Sequence, residues 1–369
     1  LKILYIEPFY AGSHKQWIDS YSLHSKYNID ILSLPGRFWK WRMHGAAITL
    51  AKEFIENNKK YDIIIASDML NLPLFISLCR KEINNTKIVT YFHENQILYS
   101  KAPVNQKEPL NRDLHYAFIN YTSSLVSDVN LFNSDYHLNI YLEELEKYLH
   151  KKPDYKNKST LEIIKNKSSV LHIGCDLKKF SPIKKYSNKI PILLWNHRWE
   201  QDKNPELFFN TLIKLKKNKV KYQLVILGQR FSRIPEIFTE IEKKLKSEIV
   251  HMGYCDSFDD YKKWMHKVDI LPITSYQDFF GISIVESVYC NTIPLLPNRL
   301  SYPEILLKES NPELFYNSDG ELYSKLFELI TNYKNLRNTP SNYSEIVNRF
   351  DWSIMKNKYD DLFNKIYNS

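Results

Sequence analysis

Glycine is scarce in this chain, with eight residues among 369 against an average of about 7% in ordinary proteins. A glycine kept at so low a frequency marks backbone that needs it, so the eight positions carry information. Cysteine is scarcer still. Cys79, Cys175, Cys255 and Cys290 stand far apart, with neither CxxC nor Cys/His spacing, which excludes a zinc-finger pattern and suits a reducing compartment. Long apolar runs are also missing. Runs such as Asp62 to Ala66 and Ile293 to Leu296 are short, far from the roughly 20 residues that cross a bilayer, so no transmembrane helix is expected. The strand-like run Leu1 to Ile6 has no charged-then-apolar leader before it, so no export signal and a cytoplasmic location are expected. No DxD motif offers itself to a divalent cation.

What is present fills two domains. A chain of 369 residues, 43% of them hydrophobic, exceeds the usual size of one core. Short β-branched runs recur at Ile3 to Ile6, Ile29 to Ser33, Ile63 to Ala66, Lys87 to Tyr91 and Val129 to Phe132. Each is followed by a helical pattern, the signature of an α/β parallel sheet. A second series runs through Pro191 to Trp195, Gln223 to Leu227, Ile249 to Met252, Asp269 to Pro272 and Thr292 to Leu295. The expected division is a Rossmann-like domain over 1–180, a linker over 181–190 and a second Rossmann-like domain over 191–350. Lys147 to Ser169 reads as a solvated insertion. Trp352, Met355, Tyr359, Leu362, Phe363 and Ile366 lie at helical spacing, which predicts a closing amphipathic helix over 352–369.

Gly12, Gly174, Gly228, Gly253 and Gly281 fall at strand exits or helix entries, the carboxyl-end loops where parallel α/β sheets bind ligands. Gly281 opens a helical pattern, so the first amides there, with Ile282 and Ser283, can hold a phosphate. A plain left-handed turn is the alternative at any one of them. The net charge of +9 suits a polyanion such as RNA or an anionic membrane surface, and Lys/Asn-rich composition alone also accounts for it.

The segment Asp278-Phe279-Phe280-Gly281-Ile282-Ser283-Ile284-Val285-Glu286 resembles the E-x7-E region of family 4 retaining glycosyltransferases, with Asp in place of the first Glu. Other landmarks of that family follow in order: Ala11-Gly12-Ser13 after the first strand, His93 after the fourth, Gly174-Cys175-Asp176 with Phe180 beyond, and Arg198 with Lys203. Trp195-Asn196-His197-Arg198-Trp199-Glu200, His93-Glu94-Asn95-Gln96, Ser67-Asp68-Met69-Leu70 and Gly12-Ser13-His14-Lys15 are similar to the tRNA-queuosine α-mannosyltransferase branch. The resemblance implies a GT-B fold, with two parallel sheets facing across a cleft and the C-terminal helix returning to the N-terminal domain. It also implies transfer of mannose from GDP-mannose to queuosine in a tRNA anticodon, with no cofactor or metal.

Carried onto this chain, Arg198 and Lys203 would take up the charge of a departing diphosphate; a surface pair salt-bridged to Glu200 and Asp202 is the alternative. Glu286 would accept from the donor ribose hydroxyls. Asp278 would hold the transferred sugar, or else cap the following helix. His93 would contact that sugar. Gly12, Ser13, Gly228, Gly281, Ile282 and Ser283 would line the donor. His14, Lys15, Asp68, Glu94 and Asn95 would face the acceptor.

Arg37-Phe38-Trp39-Lys40-Trp41-Arg42 interleaves cations with rings, which suits phosphates and stacked bases of RNA. Tryptophans buried in the core are the even alternative. Arg112 and His115 are further acceptor-side candidates. Two rival functions remain: a family 4 transferase acting on an envelope glycan or lipid, and a non-catalytic RNA-binding protein on a transferase scaffold.

Overall fold

Strands such as Ile63–Ser67 and Ile192–Asn196 are buried at every position. Such unbroken burial belongs to parallel strands covered by helices on both faces, where an alternating pattern would leave one face wet. The computed structural model describes residues 1–99, 114–184, 186, 188–230, 234–336 and 343–369. The chain divides into one unit of Leu1–Asp176 with Phe350–Ser369 and another of Leu177–Arg349.

In the first unit six strands, β1 (Lys2–Tyr10), β2 (Asn28–Pro35), β3 (Ile63–Ser67), β4 (Lys87–Phe92), β5 (Val129–Phe132) and β6 (Ser168–Val170), lie in the order β2-β1-β3-β4-β5-β6. All pairs are parallel. The order reverses between β1 and β3, so a crevice opens outside their carboxyl ends. In the second unit β7 (Ile192–Asn196), β8 (Gln223–Leu227), β9 (Ile249–Met252), β10 (Ile270–Pro272), β11 (Ile293–Pro297) and β12 (Phe315–Tyr316) follow the order β12-β11-β10-β7-β8-β9. The pairs are again parallel, and the reversal falls between β7 and β10.

The segment expected to be a solvated insertion is part of the first unit's framework. Helix Asp135–His150 and helix Ser159–Asn166 lead into β6, and Tyr148, Leu149 and Ile164 are buried against Phe92 and Phe132. Most of its lysines line the outer face, and Lys167 turns inward to donate to Leu125 O and Ser127 O. The division between units also falls earlier than position 180. Phe180 places its ring 5.2 Å from Phe258, and its carbonyl accepts from His266 Nε2 at 2.9 Å, both within the second unit. Within the expected 181–190 linker Asn188 is likewise tied down: its Nδ2 donates to Lys267 O and to Asp269.

The helix Trp352–Asn368 closes the first unit. Asp351 caps it by accepting from Ser353 N at 2.9 Å. Trp352, Met355, Tyr359, Phe363 and Ile366 are buried, each worth about 1.5–3 kcal/mol of transfer free energy. Tyr359 accepts from Trp17 Nε1 at 2.9 Å and donates to His172 O at 2.7 Å. Gly174 is a packing residue in this arrangement: a Cβ there would lie 2.5 Å from the Trp352 ring. Its position in sequence groups it with ligand-loop glycines, and its backbone is instead packed against an indole.

Candidate active site

The first unit gathers polar side chains at the reversal between β1 and β3. Glu7, near the end of β1, is wholly buried and its carboxylate accepts four hydrogen bonds. Oε2 takes Tyr5 OH at 2.8 Å and His14 Nδ1 at 2.9 Å; Oε1 takes Phe9 N at 2.8 Å and Ser67 Oγ at 3.1 Å. Burial pushes this carboxyl upward, but the charge of His14 and these bonds outweigh it and hold the group below its usual range. His14 answers in the other sense. Burial disfavours its charge, yet Glu7, with Asp68 and Glu94 behind it, raises its pKa to about 9, so it is an imidazolium at neutral pH.

His93 follows β4 and lies against His14, with ring centres 4.2 Å apart and the ring planes tilted by 31°. Burial, then the charge of His14, hold it well below the usual histidine range. Its amide donates to Asp68 Oδ1 at 2.9 Å. Asp68 is pushed up to about 8, chiefly by burial and by Glu94 and Glu7 against the pull of His14. Asp68 Oδ2, His93 Nδ1 and Asn95 Nδ2 are buried without a hydrogen-bond partner. Such atoms are costly unless a ligand or water meets them. Glu7, His14 and His93 bring ligand atoms within 4.8 Å of one another, a spacing that could hold a metal ion. The hydroxyl of Tyr5, which donates to Glu7 and lies 3.2 Å from His93 Nε2, bridges that space.

Gly12 opens the helix Gly12–His24 with φ +54° and nothing within 4 Å of its Cβ position, so backbone conformation is what asks for glycine. Ser13 is exposed and does not cap: the N-cap is Ala11, with no side-chain bond. Lys15 pairs with Asp19 on the surface. Glu94 accepts from Gln96 Nε2 at 3.1 Å.

The aromatic and basic run is neither wholly core nor wholly surface. Helix Trp39–Asn57 starts within it after Phe38, which has φ +55°. Trp39 is half-buried against Met43, Met69, Tyr116 and Ile119. Phe38 and Trp41 are 73% and 65% exposed, and the Trp41 ring lies over Gly45. Arg37 and Lys40 are exposed, while Arg42 bonds Pro35 O at 3.3 Å. Phe9 and Met69, neighbours in sequence of Glu7 and Asp68, join the cluster beneath, which ties this surface to the polar pocket. His115 stacks on His44, with centres 4.5 Å apart. Arg112 lies outside the described residues.

The second unit has its own cluster at the β7–β10 reversal. After β7 the chain runs through His197 and Arg198 to a short turn, Gln201–Lys203, and helix Pro205–Lys217, whose N-cap Asn204 accepts from Leu207 N. Gly228, with φ +112°, sits so close that a Cβ would be 1.9 Å from His197 O. Lys203 is buried and turns toward the segment after β10: its Nζ donates to Gln277 O at 2.7 Å and lies 3.3 Å from Asp202 and 3.9 Å from Asp278. Arg198 Nε lies 3.1 Å from Glu200, its side chain half in solvent. Burial, then Lys203 and Arg198, press His197 down to about 3. His197 Nε2 and both amide atoms of Gln277 are buried without a partner.

Asp278 does not cap the next helix. The N-cap of Ile282–Tyr289 is Gly281, with φ +94° and no side-chain bond, while Asp278 accepts from Tyr302 OH at 3.2 Å. The amides of Ile282 and Ser283 therefore have no hydrogen-bond partner among the described residues. One turn on, Glu286 accepts from Tyr261 OH at 2.8 Å, and Asn196 Nδ2 donates to that same hydroxyl at 2.9 Å. Lysine, carboxylates and open helix amides thus share one end of the unit's sheet, the arrangement that receives an anion. Tyr5, Glu7, Tyr261 and Tyr302 match none of the landmarks found in the sequence. Glu7 alone left a signal, as an acid inside an otherwise apolar strand.

Among known proteins, residues 2–175 match the family model described as tRNA-queuosine alpha-mannosyltransferase N-terminal, and residues 178–346 match that of glycosyl transferases group 1. A sucrose-phosphate synthase from Thermosynechococcus elongatus superposes with a TM-score of 0.77 at 12% identity, covering 100% of this chain and 99% of that one. The catalytic domain of starch synthase IV from Arabidopsis thaliana, bound to ADP and acarbose, gives 0.74 at 12% identity over 100% of both. HepE from Anabaena in complex with UDP gives 0.71 at 13%, over 99% and 100%. These likenesses establish the GT-B fold. A tRNA-queuosine alpha-mannosyltransferase of Drosophila melanogaster is 35% identical over 376 residues, covering 98% of this chain and 96% of that protein. With that identity over almost the whole length, the chain belongs to the tRNA-queuosine alpha-mannosyltransferase family of glycosyltransferases.

Proposed function

We propose that this protein transfers mannose, with retention of configuration, from GDP-mannose to the cyclopentenediol of queuosine in a tRNA anticodon, in the cytoplasm and without a metal ion. The observation that carries this reading is the approach of Lys203 to the Gln277–Asp278 segment, just ahead of the open amides of Ile282 and Ser283. Fixed cations and amides at one point stabilise a diphosphate as the glycosidic bond breaks. The relatives of this fold that hold UDP or ADP support a nucleotide-sugar donor here.

In this mechanism Lys203 and Arg198 take up the charge of the leaving group, Glu286 receives the ribose hydroxyls, and Asp278 holds the transferred sugar through its hydroxyls. Glu286 and Asp278 are each oriented by a buried tyrosine. The departing phosphate takes the acceptor's proton. The exposed Trp41, Phe38, Arg37 and Lys40 receive the anticodon loop, with phosphates on the cations and unpaired bases on the rings. The four free thiols and the lack of any described helix long and apolar enough to cross a membrane fit such a location.

Incubation with labelled GDP-mannose and queuosine-containing tRNA should add one hexose to that tRNA and none to the same tRNA carrying guanosine at that position. Transfer to a lipid or glycan, with the tRNA untouched, contradicts the acceptor. A thermal-shift panel of GDP-, UDP- and ADP-sugars tests the donor separately: stabilisation by a sugar nucleotide other than GDP-mannose overturns that part alone.

A further inference from the structure

Glu7 touches both imidazoles of the first unit's cluster, one directly and one through Tyr5. Tyr5 has a single hydroxyl proton. A buried, ionised carboxylate can only accept, so that proton is given to Glu7 Oε2 at 2.8 Å. The phenolic oxygen then offers His93 Nε2, 3.2 Å away, nothing but lone pairs. The contact is attractive only if the proton of His93 sits on Nε2. A neutral ring with its proton there carries a bare lone pair on Nδ1, and Nδ1 is the atom left buried without a partner. His14 is set the other way: its Nδ1 donates to Glu7 at 2.9 Å, and its Nε2 makes no hydrogen bond among the described residues.

We propose that Glu7 is a positioning residue that fixes two adjacent imidazoles in opposite roles toward a polyhydroxyl ligand, His14 offering Nε2–H as a donor and His93 offering Nδ1 as an acceptor. A ligand hydroxyl that donates to His93 Nδ1 satisfies that buried atom, and a second oxygen accepts from His14. Asp68 Oδ2 and Asn95 Nδ2, also buried and unpartnered, extend the same cradle, so its ligand carries several hydroxyls close together, as a sugar or a cyclic diol does. The charged and titratable groups around the two rings are Glu7 and Tyr5 from β1, Asp68 after β3, Tyr91 in β4, Glu94 after it, and His137 from helix Asp135–His150. The identity of the ligand rests on the glycosyl-transfer reading; the protonation pattern does not.

Nitrogen-15 histidine spectra of the free, full-length protein near pH 7 test the pattern with no substrate present. His93 should show a protonated Nε2 and a lone-pair Nδ1, and His14 should be doubly protonated. A proton on His93 Nδ1, or a neutral His14, overturns the proposal. Tyr5→Phe should release the His93 tautomer and leave His14 charged. Glu7→Gln should drop the His14 pKa from about 9 toward its ordinary value of about 6.5 and move the alkaline limb of the kcat profile at least one pH unit to the acid side. If Glu7→Gln lowers activity while both tautomers and that limb stay in place, Glu7 is merely structural and the idea fails. If the spectra agree but no sugar reaches queuosine-containing tRNA, the acceptor assignment alone has failed.

Discussion

His93, His137 and His197 are buried as neutral rings, with pKa values held well below the usual range in His93 and at about 3 in the other two. Burial is the leading cause in each. Below about pH 6.5 the unfolded chain takes up protons that these folded rings refuse. Folding stability should therefore fall with falling pH, by up to about 1.4 kcal/mol per pH unit for each ring. His14 and Asp68 act in the opposite sense. Their folded pKa values are raised, to about 9 and about 8, so the stability they contribute is present at low pH and lost as pH rises, for His14 between roughly 6.5 and 9. The urea midpoint should peak near neutral pH, and His137→Gln should flatten the acid limb by about one proton. A limb unchanged in that variant counts against this account.

The two cations of the second unit should part company when removed. Lys203 is buried beside two carboxylates, so Lys203→Met should cost about 3 kcal/mol of stability as well as about 10²- to 10³-fold in turnover. Arg198 is half in solvent, so Arg198→Ala should lower turnover comparably and leave the melting temperature nearly unchanged. Equal melting losses in both variants would contradict the difference in their surroundings. The placement of Lys203, Glu286 and His93 in loops and helix starts beyond strand ends was legible in sequence. Tyr5, Tyr261 and Tyr302 were not, because a tyrosine that orients a carboxylate looks the same in sequence as one that fills a core.

Among elements, strands buried on both faces announced themselves as unbroken apolar runs. The edge strands Ser168–Val170 and Phe315–Tyr316 did not, since two or three residues hold no period to detect. The scarcity of glycine located its important positions and could not say why each was needed. Gly12 answers to conformation alone, Gly174 to the Trp352 ring, and Gly228 to both φ and the His197 carbonyl. Gly12→Ala should accordingly cost only about 1–2 kcal/mol. Gly228→Ala adds a backbone clash that forces apart the loops after β7 and β8, and should weaken nucleotide-sugar binding as well as stability. Calorimetric titration with the donor alongside thermal melting separates the two; equal behaviour of the variants would mean that the close approach at Gly228 has no consequence.

For the molecule as a whole, a net charge of +9 acquires meaning beside the exposed rings of Phe38 and Trp41. Binding of tRNA should weaken steeply as salt rises, with log K linear in log salt concentration. Trp41→Ala should weaken it by about 1–3 kcal/mol at every salt concentration without changing that slope, and leave the KM for nucleotide sugar unaltered. Gel-shift titrations at several salt concentrations check both, and a changed slope in Trp41→Ala would show that the ring is not the stacking platform. Two α/β domains were legible from repeated strand-and-helix alternation. Their boundary was blurred because Phe180 reads in sequence as the end of the first domain and Asn188 as polar, proline-containing linker, while both are tied by side-chain contacts within the second unit.

The first unit includes residues 350–369, which the ribosome makes after all of the second. While the intervening 173 residues, Leu177–Arg349, are being synthesised, the indole of Trp17 and the rings of Tyr21 and Tyr91 have no cover from Trp352 and Tyr359. The nascent chain thus carries a half-built aromatic seam through much of its translation, and the domain that emerges first is the last that can finish folding.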